Sequence, residues 1–135
     1  DPRPGNPDSI APGKSRFTAM APSIVFDGDK PYFVVGAPGG TFITMGVLQA
    51  ILNVIDFGMD AQQAISAPRF CTTSDTIDIA NRIPRFVEAE LKGRGYPVRR
   101  TYLSYHFAGV HGIRIKGGQW DGGADPGRDG MVMEV

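Results

Sequence analysis

Val34-Val35-Gly36-Ala37-Pro38-Gly39-Gly40, followed by the long apolar run over residues 41–57, is the stretch that decides the fold. It reads as a buried strand, a glycine turn and a helix, with the Gly39 and Gly40 amides at the helix start. Helix N-termini carry unpaired N–H groups and a partial positive charge, so such a turn suits an anion or an oxyanion. Glycine also allows positive φ and close approach of a ligand. Local pattern alone leaves open a plain strand–helix turn with no ligand. The turn contains neither Gly-x-x-x-x-Gly-Lys-Ser/Thr nor Gly-x-Gly-x-x-Gly, so a nucleotide loop is not supported.

Upstream, Ser23-Ile24-Val25-Phe26 and Tyr32-Phe33-Val34-Val35 flank Asp27-Gly28-Asp29-Lys30-Pro31, a hairpin signature. Both strands are nearly continuous in apolar residues, and we expect both to be substantially buried. Residues 1–14 hold four prolines and little apolar content, which predicts an extended arm over 1–20 and an α+β portion over 21–135. Downstream, the polar or small positions Gly46, Gln49, Asn53 and Asp56 trace one narrow stripe. The rest of that helix is apolar, so it is expected to be sandwiched between layers. Gly58 suits its C-terminal end.

Asp60-Ala61-Gln62-Gln63 reads as a capping box opening a second helix that Pro68 ends. Residues 76–79 alternate as a strand. Pro84 suits the start of a helix through Lys92, with Ile83, Phe86, Val87 and Leu91 on one face. Residues 98–105 and 109–116 read as strands, and Gly117-Gly118 as a turn into Gln119-Trp120-Asp121. Residues 122–129 read as loop and 131–135 as a last edge strand. Strand pairs and helices fall in blocks, which indicates a layered α+β architecture.

Bulk properties exclude several classes. Of 135 residues, 41% are hydrophobic and 21% charged, the composition of a globular domain. Fourteen basic residues balance fourteen acidic ones, so neither nucleic acid nor an anionic membrane surface is an expected partner. Thr44, Gln49 and Asn53 interrupt the best candidate for a membrane span. The single cysteine, Cys71, forms no intrachain disulfide and gives no vote on compartment. No secretory signal is visible, and a start at Asp1 rather than methionine leads us to expect a processed or partial chain.

Local motifs do not build a free-standing active site. His106 and His111 lack partners at metal-ligand spacing and read as structural, so no metal or other cofactor is expected. Cys71 has no activating base nearby and reads as a small packed residue. Asp121, Asp125 and Asp129 superficially resemble a calcium loop, but their spacing is wrong for an EF-hand and a polar turn is the simpler account. No Gly-x-Ser-x-Gly elbow appears.

An ordered set of segments is similar to the small subunit of γ-glutamyltransferases. These are Pro12-Gly13-Lys14, Met20-Ala21-Pro22, Gly36-Ala37-Pro38-Gly39-Gly40, Val47-Leu48-Gln49, Asn53-Val54-Ile55-Asp56-Phe57-Gly58-Met59, Ala67-Pro68-Arg69-Phe70 and Gly123-Ala124-Asp125-Pro126. The resemblance implies the C-terminal portion of an N-terminal-nucleophile hydrolase, a four-layer αββα sandwich made by self-cleavage of a precursor. It implies that the Gly39 and Gly40 amides form an oxyanion hole. The nucleophilic threonine freed by cleavage has no counterpart in this sequence, so none is assigned. The chain's partners would be the large subunit and the N-terminal part of the small subunit, from the same precursor. Many relatives are exported, which is the resemblance's one hint of location.

Two positions depart from the family pattern. Thr18 and Ala19 stand where the family usually has two serines that hold the γ-glutamyl carboxylate. Thr18 keeps a hydroxyl, whereas Ala19 keeps only its backbone N–H; one lost hydrogen bond to a charged group is worth about 1.5–3 kcal/mol. Thr41-Phe42 replaces the Ser-Arg that usually follows the glycine pair. The implied activity is therefore γ-glutamyl amide hydrolysis or transfer, with a cephalosporin-acylase-like substrate as one alternative. A non-catalytic binding or interface domain on the same fold is the other.

Overall fold

The computed structural model describes residues 3–133. The hairpin forms as expected, β1 (Ser23–Asp27) against β2 (Lys30–Gly36), with Gly28 at positive φ in the turn. β6 (His111–Lys116) pairs with β2, and β7 (Gln119–Ala124) with β6, all antiparallel, giving a four-stranded sheet in the order β1-β2-β6-β7. A second sheet orders β3 (Phe70–Cys71), β4 (Ile77–Ala80) and β5 (Val98–Thr101), with β4 and β5 parallel. The short β3 was not anticipated. Residues 3–22 hold no helix or strand, and Lys14 Nζ gathers the Asn6, Pro7 and Ser9 carbonyls at 3.1–3.3 Å.

α1 (Ile43–Ile55) and α2 (Ala61–Ser66) cover one face of the larger sheet. Phe33 and Val35 meet Ile43, Val47, Ala50 and Val54 of α1, and Ala61, Ala64 and Ile65 of α2 complete this core with Ala108 and Val110. The capping box of α2 is complete: Gln63 N donates to Asp60 Oδ1 at 2.7 Å, and Asp60 N to Gln63 Oε1 at 3.1 Å. Gly58, at φ 65°, turns the chain after α1, and Met59 N donates to the Asn53 carbonyl at 3.0 Å.

α1 corrects the sequence reading. A 3₁₀ turn (Gly40–Phe42) precedes it, because positive φ at Gly39 and Gly40 delays α geometry to Ile43. It stops at Ile55, two residues short of the expected end. The helix was expected to be sandwiched between layers, and its polar stripe makes part of the contact on the covered side. Gly46 is buried, Gln49 Nε2 donates to the Phe70 carbonyl at 2.8 Å, and Asn53 Nδ2 to the Ala64 carbonyl at 3.1 Å. Gln49 and Asn53 tie α1 to its neighbours, and the exposed side carries Leu48, Leu52 and Ile55. Within this chain the helix is covered on one side only.

The larger sheet shows the same one-sidedness, against the expectation that both hairpin strands are buried. Ile24, Val34 and Ile113 face away from the helices, stand in cross-strand register and are 55%, 38% and 43% exposed.

α3 (Arg85–Gly93) uses Pro84 as its N-cap rather than its first residue, and its Phe86 is exposed. The strand expected over 98–105 ends at Thr101, giving way to a 3₁₀ turn (Ser104–His106), and the one expected from 109 begins at His111. β7 runs through Gly122 and Gly123, which the sequence reading placed in a loop. A Cβ on Gly123 would lie 2.4 Å from the Ala61 carbonyl oxygen, so glycine here lets α2 seat directly on the strand. Residues 131–133 form no strand, and the remainder of that expected edge strand lies outside the described residues.

Candidate active site

The glycine turn leaves the buried strand β2 at Gly36 and enters α1 through the Gly40–Phe42 3₁₀ turn. Gly39 adopts φ 144° and ψ 14°, and Gly40 φ 59°. Among the described residues neither glycine's N–H has a hydrogen-bond partner. No acidic side chain occupies the first turn of the 3₁₀ segment or of α1, so the positive end of the helix dipole is not neutralised locally.

Behind the turn lies the segment between the second 3₁₀ turn and β6. Gly109 N donates to the Pro38 carbonyl at 3.0 Å, and a Cβ on Gly39 would stand 2.7 Å from Ala108 Cα. Phe42 packs its ring against His106 and Phe107, with centroids 5.2 and 6.4 Å away. This buttress was invisible in the sequence. Its one signal was Gly109, a glycine outside any turn motif.

Thr18 and Ala19 lie in the irregular stretch before β1. Thr18 is exposed and its Oγ1 accepts from Met20 N at 3.2 Å; Ala19 is half-buried. Among the described residues no hydrogen bond joins either to Gly39 or Gly40.

The other titratable candidates have structural surroundings. Burial pushes the Cys71 thiol up, which disfavours the nucleophilic thiolate. Asp121 accepts from Ala61 N at 2.7 Å and pairs with Arg114, while Asp125 pairs with Arg69. Among the described residues no group of three His, Cys, Asp or Glu side chains is placed to hold a metal. His111 Nδ1 lies 3.1 Å from the Gly109 carbonyl.

Asp78, on β4, is buried and held by Arg99 at 2.6 and 3.0 Å, with His106 Nε2 3.8 Å away. The Arg99 hydrogen bonds hold its carboxyl below the usual carboxylate range, against the opposing effect of burial. A carboxylate with a depressed folded-state pKa contributes stability that is complete above its unfolded value and lost as pH falls through the folded one. Asp78→Asn should therefore lower stability by about 1.5–3 kcal/mol at neutral pH. The gap to the parent protein should narrow below about pH 4. Urea unfolding of the full-length protein at pH 7 and pH 3 tests this; an unchanged gap would assign the loss to something other than the charge.

The family model described as Gamma-glutamyltranspeptidase matches residues 1–135. The chain belongs to this family. The glutathione hydrolase proenzyme of Bacillus subtilis (strain 168) is 32% identical over 133 residues, which are 98% of this chain and 23% of that protein. The acylase ACY 1 proenzyme of Pseudomonas sp. (strain SE83) is 42% identical over 101 residues, 75% of this chain and 18% of that one. The chain thus spans about a quarter or less of the curated relatives it matches.

Among solved structures, γ-glutamyltranspeptidase from Pseudomonas nitroreducens complexed with L-DON superposes with TM-score 0.83 at 29% identity, over 97% of this chain and 69% of that one. Cephalosporin acylase from Bacillus halodurans gives TM-score 0.85 at 26% identity, over 96% of this chain and 25% of that one. The α+β architecture is accordingly a portion of the γ-glutamyltranspeptidase fold.

Proposed function

We propose that this chain is part of a γ-glutamyl amide hydrolase or transferase in which Gly39 and Gly40 supply the oxyanion hole. The observation that carries the reading is the pair of amides at the head of α1 with no partner among the described residues, in a turn whose backbone is fixed from behind by Ala108 and Gly109. A threonine hydroxyl from another segment of the precursor attacks the amide carbon, with its own α-amine as base. The carbonyl oxygen becomes an oxyanion facing the two N–H groups. The C–N bond then breaks, the leaving amine takes the proton, and water or an acceptor amine cleaves the resulting ester. Each such donor is worth about 2.7–4 kcal/mol in the transition state. Thr18 and the Ala19 backbone N–H line the acyl pocket on this reading.

Support for same-precursor partners comes from the open apolar surfaces. Ile24, Val34 and Ile113 on the sheet, and Leu48, Leu52 and Ile55 on α1, form two exposed apolar groups of the kind that partner segments cover. The relatives are proenzymes several times longer than this chain, which offers the covering segments.

A second reading changes only the acyl group. The 42% identity to an acylase proenzyme and the absence of a second hydroxyl beside Thr18 favour an acyl chain without the amino-acid head. One experiment separates the two: turnover of γ-glutamyl and glutaryl anilides by the full-length protein under identical conditions. Faster release from the γ-glutamyl anilide is the expected result. A preference for glutaryl would establish the acylase reading, and no release from either would overturn both.

A further inference from the structure

Two contacts fix the backbone of the glycine turn from behind, and both come from Ala108 and Gly109. The direction of the Gly39 amide therefore depends on how residues 105–109 are held. That segment belongs to neither sheet, so no strand ladder holds its carbonyls. His111 Nδ1 meets the Gly109 carbonyl at 3.1 Å, and among the described residues the Tyr105 and Phe107 carbonyls are held by one other side chain. Arg128 Nη2 donates to the Tyr105 carbonyl at 2.9 Å and to the Phe107 carbonyl at 3.0 Å.

The approach of Arg128 is built into the chain. A Cβ on Gly109 would stand 2.3 Å from Arg128 Cγ, so the absent side chain leaves the bed on which the arginine stem lies. Among the described residues Arg128 has no carboxylate partner. Its own backbone is anchored in turn: Arg128 N donates to the Asp125 carbonyl at 3.1 Å, Gly127 N to Asp125 Oδ1 at 2.8 Å, and Asp125 pairs with Arg69. A guanidinium spans two carbonyls in one fixed plane, whereas an ammonium on a flexible stem sets no such plane.

We propose that Arg128 is a positioning residue for the oxyanion turn, acting through the backbone of residues 105–109 on Gly39. It touches neither substrate nor the reacting atoms. The proposal rests on the oxyanion reading above. Its effect falls on the tetrahedral state, because only there does the misdirected amide lose a partner.

The test uses full-length Arg128→Met and Arg128→Lys proteins, with a γ-glutamyl anilide as substrate. The second probe is a boronic acid bearing the same acyl group, which mimics the tetrahedral state. Arg128→Met should lower kcat about 10- to 100-fold, a part of the effect of removing an oxyanion donor outright. KM should change less than about threefold, and boronate affinity should fall in step with kcat. Arg128→Lys, which keeps the charge and most of the stem, should lose less and serves where the methionine protein fails to fold.

Unchanged kcat and boronate affinity in a folded variant would overturn the proposal. So would equal weakening of substrate and boronate, which belongs to a binding role. Inactivity of the parent protein toward both anilides would instead overturn the reading on which the proposal rests.

Discussion

Gly39→Ala is expected to lower kcat of the full-length protein about 10²–10³-fold, while Gly40→Ala leaves most of the turnover. The two glycines are adjacent, and both have positive φ, yet their surroundings differ. At Gly39 a methyl group would stand 2.7 Å from Ala108 Cα and 2.9 Å from its Cβ, and the first of these is backbone. The clash cannot be relieved by rotating a side chain. Either the turn moves away from residues 108–109 or the β6 entry moves with it, and both redirect the Gly39 N–H. Overpacking of this kind costs about 1–3 kcal/mol, and a non-glycine residue held in so sparsely populated a conformation adds about 1–3 kcal/mol. On the oxyanion reading the misdirected donor removes a further 2.7–4 kcal/mol, about 10²–10³ in kcat. At Gly40 nothing lies within 4 Å of the added methyl, and φ 59° is the ordinary left-handed region. Its alanine variant pays strain alone, about 1–2 kcal/mol, with the amide undisturbed. Parallel measurement of kcat and soluble yield decides the matter. Equal losses at both positions would mean that the close approach of Ala108 does not control the turn.

The parts of this architecture legible in the sequence are those set by local chemistry. The Asp27-Gly28 turn, the apolar strand before Pro38 and the Asp60–Gln63 capping box each needed only neighbours in the chain. The glycine turn was legible as a helix start for the same reason. What could not be read are contacts between distant segments. Gly122 and Gly123 looked like loop, whereas they are strand positions stripped of side chains so that Val132 and the Ala61 carbonyl can approach. The narrow polar stripe of α1 gave no sign of its partners, whereas Gln49 and Asn53 satisfy the carbonyls of Phe70 and Ala64. Ala108, behind Gly39, offers no pattern at all. Asp125 was read as part of a turn of acids, and its partner Arg69 entered only through the family resemblance. The candidate site was thus half visible: its donors announce themselves, while the groups that aim them do not.

Asp125→Ala should be strongly destabilising. The Arg69 and Asp125 side chains are 11% and 6% exposed, and Arg69 Nη2 is in direct contact with Asp125 Oδ2. Arg69 Nη1 also donates to the Ile65 carbonyl at 2.6 Å, while its Nε is buried without a partner among the described residues. Removing the carboxylate leaves the guanidinium charged and enclosed at the C-terminal end of α2, and frees the Gly127 N–H that Asp125 Oδ1 accepts. A buried charge stripped of its partner costs about 3–5 kcal/mol, a large fraction of the roughly 5–15 kcal/mol that stabilises a domain. Arg69→Met alone should be harmful for the mirror reason, since it strands the aspartate. The double variant Arg69→Met/Asp125→Ala removes both charges and should cost less than the sum of the two, by about 0.5–3 kcal/mol. Chemical denaturation of the four full-length proteins measures that coupling directly, and additive losses would show that the pair holds nothing together. Catalysis should follow stability here only in part. With Asp125 gone, the turn that presents Arg128 to the Tyr105 and Phe107 carbonyls loses its anchor, so kcat of the surviving folded protein should fall while KM holds. A double variant that regains stability without regaining kcat would place the carboxylate in the line of contacts that aims the Gly39 amide.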